Sequence, residues 1–161
     1  MADIRLVKVE KEDGVQVMIG HAGFIKTAED LYEALAGAVP GMKFGLAFLE
    51  ASGPCLVREE GNDPELVELA KRNALAIGAG HAFVIVFKSG YPINVNNAVK
   101  GVPEVVNIYC STANPVEVVV AETGQGRSIL GVVDGLPPKG VETQGDKAAR
   151  RKFLRDIGYK M

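Results

Sequence analysis

A capped helix that runs straight into a seven-residue apolar segment constrains this chain more than any other feature. Gly61-Asn62-Asp63-Pro64 opens the helix: Asp63 can accept bonds from the first free N–H groups, and Pro64 sits where no donor is missed. Leu66, Leu69, Ala70, Asn73 and Ile77 recur at helical spacing until Gly78 and Gly80 interrupt them. The segment His81 to Phe87, HAFVIVF, is almost unbroken in apolar and β-branched residues, as a strand covered on both faces requires. A crossover helix delivering the chain to such a strand predicts a parallel or mixed sheet.

The remaining pattern fills in around that unit. Ile4 to Val9 and Val15 to Ile19 flank Lys11-Glu12-Asp13-Gly14 and predict a hairpin. Thr27 is the expected N-cap of a helix carrying Leu31, Leu35 and Ala38, ended by Pro40-Gly41. Phe44 to Leu49 and Cys55 to Arg58 read as strands, and Pro92 to Lys100 as a short helix. Residues 107 to 135 hold three β-type runs whose turns are rich in Ser, Thr, Asn, Glu, Gln, Gly and Arg, the donors and acceptors that small anionic or polyhydroxylated ligands need. Asp146 then caps a terminal helix with Ala149, Phe153, Leu154 and Ile157 expected to face inward and Gly158 as its stop. Helices distributed between strands predict one α/β domain over 1–161, a three-layer α/β/α sandwich around a mixed β-sheet.

Composition narrows the function classes. With 47% hydrophobic residues the 161-residue chain can bury a full core, and a net charge of −2 offers no general attraction to nucleic acid or an anionic membrane. Charges spread through the first twenty residues leave no signal-peptide core, and the apolar runs are too short to span a bilayer, so the cytoplasm is the expected compartment. Cys55 and Cys110 read as small buried side chains, and no Cys/His spacing suggests a metal site.

Reactive candidates are few. His21, in Gly20-His21-Ala22-Gly23, follows a strand and precedes a helix N-terminus, where unpaired N–H groups can hold an anion. It reads as acid, base or phosphoryl acceptor with Lys26 neutralising charge, or as a structural histidine in a glycine-rich turn. His81, at the start of the central strand, reads rather as a core histidine, because in a parallel sheet that end lies opposite the usual ligand crevice. Gly124-Gln125-Gly126-Arg127 can form an anion-cradling turn with a bidentate Arg127, or an ordinary hairpin tip. Glu50 and Glu122 can accept a ribose hydroxyl or hold a cation, against solvated strand-end carboxylates. Asp63 reads as a cap. The basic residues Lys147, Arg150, Arg151, Lys152 and Arg155 read as a solvated helix face. Gly37 to Phe44 has the wrong spacing for a Walker A loop, so nucleotide chemistry would need another scaffold.

These residues resemble the adenosine-specific kinase family of archaea and bacteria. The resemblance is carried, in order, by Gly20-His21-Ala22-Gly23-Phe24, Phe48-Leu49-Glu50-Ala51-Ser52-Gly53-Pro54, Gly61-Asn62-Asp63, Pro92-Ile93-Asn94-Val95, Val102-Pro103-Glu104-Val105, Thr112-Ala113-Asn114-Pro115-Val116, Ala121-Glu122-Thr123 and Gly131-Val132-Val133-Asp134-Gly135. Ser111 and Asn96 depart from it, standing where Ala and Leu are expected. The resemblance implies a homo-oligomer that binds adenosine or an adenine nucleotide. The expected activity is phosphotransfer with ATP or another adenine nucleotide as cofactor; in-line transfer makes Mg²⁺ a candidate counter-charge, and the nucleophilicity of neutral imidazole makes a phosphohistidine one route. His21 and Lys26 would be catalytic. Glu50, Ser52, Asn94, Thr112, Asn114, Glu122, Gly124, Gly126 and Arg127 would bind the nucleotide. The alternative is a non-catalytic adenine-nucleotide-binding or sensing protein.

Overall fold

The structure, a computed structural model, describes residues 2–161. Eight strands and four helices run in the order β1 (Asp3–Lys8), β2 (Gln16–Ala22), α1 (Thr27–Ala38), β3 (Lys43–Leu49), β4 (Val57–Gly61), α2 (Pro64–Ile77), β5 (Ala82–Lys88), α3 (Pro92–Lys100), β6 (Val105–Thr112), β7 (Val116–Glu122), β8 (Arg127–Asp134) and α4 (Gln144–Asp156). The α/β class stands as predicted. The strands form a five-stranded sheet, β4-β3-β5-β2-β6, and a separate three-stranded sheet, β1-β7-β8.

Every ladder in both sheets is antiparallel, where a mixed sheet was expected. The physical reason is that each helical crossover skips one strand. Helix α1 joins β2 to β3 with β5 between them, α2 joins β4 to β5 with β3 between them, and α3 joins β5 to β6 with β2 between them. Each helix therefore does return the chain in the same direction, as a crossover must, but a reversed strand fills the gap. The central position of β5 follows its composition, since all but its last residue are buried.

The expected hairpin between β1 and β2 does not form. Strand β2 already pairs with β5 and β6 and has no free edge, so β1 crosses to the other sheet and pairs with β7, Leu6 opposite Val119. The connection is fastened by buried Asn73 of α2, whose amide accepts from Glu10 N and donates to Glu10 O, both at 2.8 Å. Alternation along β2 and β5 supplies two cores. Val17, Ile19, Val84 and Val86 pack with α2 and the inner face of the small sheet. Met18, Phe83, Ile85 and Phe87 pack with α1 and α3 on the opposite face.

Caps match the sequence at α2, where Asp63 accepts from Glu65 N and Leu66 N and Gly78 ends the helix at φ 64°. At α1, Thr27 lies inside the helix, buried, with its hydroxyl returning to the Phe24 backbone, and Lys26 holds the cap position. At α4, Thr143 is the cap and Asp146 its reciprocal partner. The inward face predicted for α4 is not found: none of its residues is buried, because the helix follows the exposed segment 136–143 away from both sheets and packs on no other element of its own chain. Cys55, expected in a strand, is exposed in the turn before β4, while Cys110 is buried, which pushes its thiol up to about 11. No described helix is long and apolar enough to cross a membrane.

Candidate functional site

Because the crossovers skip strands, the C-terminal ends of β2 and β3 meet the N-terminal ends of β4, β5 and β6 at one rim of the large sheet. The N-terminus of α1 follows β2 and the C-terminus of α2 precedes β5, so both helices also end there. His81 occupies the middle of this rim. Its N–H donates to Leu49 O at 2.7 Å and its carbonyl accepts from Ala22 N at 2.9 Å, which stitches the ends of β3 and β2 together. It does so at φ 63°, a left-handed conformation rare for a residue with a Cβ.

That backbone aims the imidazole into the rim. Its ring stacks on buried Phe48, with centroids 5.9 Å apart, and stands edge-on to His21 at 6.0 Å. Gly23 lies against the other side, and a Cβ there would come within 2.9 Å of Nδ1 of His81. Nε2 of His81 lies 3.6 Å from Oε1 of Glu50. Glu50 is itself held in place: Oε1 accepts from Ala51 N at 2.9 Å, Ser52 N at 3.3 Å and Ser52 Oγ at 3.1 Å, while Oε2 pairs with Arg58 at 3.2 Å. The Ala51 N–H above all, then Ser52 and Arg58, hold its carboxyl below the ordinary glutamate range. Arg58 in turn donates to Ile25 O at 2.8 Å, tying the loop after β2 to the β4 side.

Burial first, and the neighbouring His81 second, lower the pKa of His21, which favours a neutral ring. Two depressions flank the histidines. One, of ≈ 490 Å³, is bounded by Gly23, Ser52, Pro54, Arg58 and His81. The other holds His21 with Tyr109, Arg127 and Ser128, and shares Gly80, Arg127 and Ser128 as walls with a cleft of ≈ 700 Å³ between Glu50 and the β7–β8 turn. A cleft of similar size between the β1–β2 connection and α2 lies away from this rim, and its charges pair off as Arg72 with Glu10 and Lys88 with Glu12.

The structure thus gathers His21, Glu50, Ser52 and Arg127 from the residues singled out in sequence. Glu122 stands beside Arg127 at 3.4 Å and also pairs with Arg5 at 2.6 Å. Arg127 spends one nitrogen on Ala76 O at 3.2 Å, at the end of α2. Gly126 lines the larger cleft, but Thr123 Oγ1 takes the N–H groups of Gln125 and Gly126, and neither Gly124 nor Gly126 adopts positive φ. The turn is therefore a closed polar wall.

Lys26, at the rim end of α1 next to Ile25 of the ≈ 490 Å³ depression, is engaged by Asp30 and by buried Glu104, and both carboxylates raise its pKa. Three residues lie elsewhere. Asn94 caps α3 by accepting from Tyr91 N at 2.9 Å. Thr112 pairs with Val17, whereas His21 pairs with Asn107, so five residues of β6, roughly 16 Å of strand, separate Thr112 from the histidine. Asn114 sits beyond it, bonded to Thr112 Oγ1 through its N–H and to Asp134 through its amide. Ser111 and Asn96, the two departures from the family pattern, bond to one another at 2.6 Å, away from the rim. Sequence reasoning missed Arg58 and undervalued His81. The signal for Arg58 was a cation six residues after Ser52, on the strand that follows the polar turn.

Fold and rim together define a two-sheet α/β protein with a histidine pair between polar, arginine-flanked clefts. The chain belongs to the adenosine specific kinase family, whose model matches residues 7–160. Membership supports a kinase-like function and the transferase class. The chain is similar along its length to the PH1918 protein from Pyrococcus horikoshii OT3, whose crystal structure gives a TM-score of 0.96 at 51% identity, covering 100% of this chain and 99% of that one. Among curated proteins, none matches at a significant level.

Proposed function

We propose that the protein transfers a phosphoryl group from ATP or another adenine nucleotide to adenosine or AMP, with His21 as transient carrier. The observation that carries this reading is the convergence of two imidazoles at 6.0 Å between clefts lined by Arg58 and Arg127. Neutral imidazole is a competent nucleophile, and the lowered pKa of His21 keeps it so at pH 7. In the first step a P–N bond forms at His21 as the P–O bond to the departing nucleoside diphosphate breaks. In the second, a ribose hydroxyl of adenosine attacks phosphorus, the P–N bond breaks, and the hydroxyl proton passes to His81, which Glu50 faces at 3.6 Å; with AMP an ionised phosphate oxygen attacks and no proton is transferred. The guanidinium of Arg127 supplies positive charge beside the transferring group. Glu50 is already saturated by N–H donors and Arg58, so Mg²⁺ would enter on the nucleotide phosphates and not in a protein cage.

Purified protein incubated with γ-labelled ATP, with and without adenosine, tests the proposal. Label on the protein that chases to adenosine, and that His21→Ala abolishes, is the expected result. Transfer at the parental rate in His21→Ala removes the carrier role. Bound ATP recovered unchanged would instead favour a sensing protein.

A further inference from the structure

Two apolar surfaces are left uncovered by the chain itself. The first is the outer face of the small sheet, where Ile4, Leu6 and Leu130 are 60, 64 and 58% exposed. The register puts Leu6 beside Val119 and Ile4 beside Ala121, and Leu130 is the extra residue of a bulge next to them, so these side chains form one patch. The second is α4. Ala149, Phe153 and Ile157 recur every four residues on one side of it, and Phe153 and Ile157 are 60 and 47% exposed. The helix hangs on the exposed segment 135–143, in which Leu136 and Val141 are also bare.

The total surface gives the scale of what is missing. The chain exposes 9577 Å². A compact monomer of 17.1 kDa exposes about 7,750 Å². The excess, about 1,800 Å², falls within the roughly 1,000–2,500 Å² that each chain buries in an obligate homo-oligomer.

We propose that α4 is an exchange arm: its Ala149, Phe153 and Ile157 face packs on the Ile4, Leu6 and Leu130 face of a second copy of this chain. Both halves of the contact are present in one sequence and are alike in character. Charge does not oppose the contact: Arg150 and Lys152 of the arm pair with Glu142 and Asp156 of their own chain, and on the sheet Lys8 lies opposite Glu117, so the contact rests on its apolar faces. The contact closes as a reciprocal pair or as a ring, and in either case every arm and every sheet face is covered. It is independent of the chemistry assigned to the histidines.

Light scattering after size exclusion reads the result on the full chain. The parent is expected at a multiple of the 17.1 kDa chain mass, and Phe153→Asp with Ile157→Asp, or Ile4→Asp with Leu6→Asp, is expected to fall to one chain. Unchanged far-ultraviolet circular dichroism shows that the helix pair still folds, since α4 contributes nothing to its own core. In a Cys55→Ser background, mixing Leu6→Cys chains with Phe153→Cys chains should let a bismaleimide join one of each. A parent of single-chain mass, a helix variant that keeps the parental mass, or no mixed cross-link overturns the proposal. An arm that binds anionic vesicles while the chain stays a monomer overturns it equally.

Discussion

At position 81 a histidine occupies backbone that suits glycine, and its N–H and C=O are both committed to neighbouring strand ends. Residues held in such conformations cost about 1–2 kcal/mol and concentrate at functional sites. His81→Gly is therefore expected to stay within about 1 kcal/mol of the parent in denaturant unfolding, relief of strain offsetting the lost Phe48 stacking, while transfer to adenosine collapses. His21 behaves differently. Its folded pKa lies below the unfolded value of 6.5, so the neutral form favours folding: this contribution is complete above pH 6.5 and is lost as pH falls from there through the lowered value. The acid limb of the labelling rate should accordingly lie below pH 6.5, and a limb at or above it would contradict the assignment. Ser111 and Asn96 make a third test. Asn96→Leu alone strands the Ser111 hydroxyl, whereas adding Ser111→Ala removes both partners, so the double-mutant cycle should show coupling of about 0.5–1.5 kcal/mol. Seen one at a time in sequence these two positions look like unrelated departures. Only the contact between α3 and β6 makes them a pair.

Elements meet where glycines let them. Strand β3 runs under α2 so closely that a Cβ on Gly45 would lie 2.2 Å from the backbone of Leu66 and Val67. Backbone cannot step aside as a side chain does. Gly45→Ala should lower stability by about 3 kcal/mol or more, measured by chemical denaturation, or prevent folding outright. The apolar spacing of α2, its Asp63 and Pro64 start and its Gly78 stop were legible in sequence because each is a local signal. The fate of β1 was not legible. A hairpin turn is also a local signal, but pairing is decided by which edges remain open, and β5 and β6 had taken both edges of β2. Helix α4 failed for a related reason, since an amphipathic pattern records that a face will be buried without recording against what.

For the whole molecule, the small sheet is not a separate folding unit. Val116, Val118 and Val120 of β7 lie in the same core cluster as Val17 and Val84 of the large sheet. Calorimetry on the arm variants should accordingly give one transition, with calorimetric and van't Hoff enthalpies equal, and a resolved early transition for the small sheet would refute this. The α/β class was legible because alternating helices and strands imply it. The convergence of the rim was not, because it depends on strands reversed between every crossover. That reversal is also why the sequence alone points His81 away from a ligand: strand ends opposite the crevice are a property of parallel sheets. The histidines and Arg58 are fixed by sheet and strand ends, while the cleft walls at 51–56 and 123–126 are irregular segments that contribute no strand pairing. Under the proposed transfer, divergence outside Ala51 and Ser52, which hold Glu50, could reshape those walls while the histidines and Arg58 stay in place, so substrate preference would be the trait free to drift between descendants of this fold.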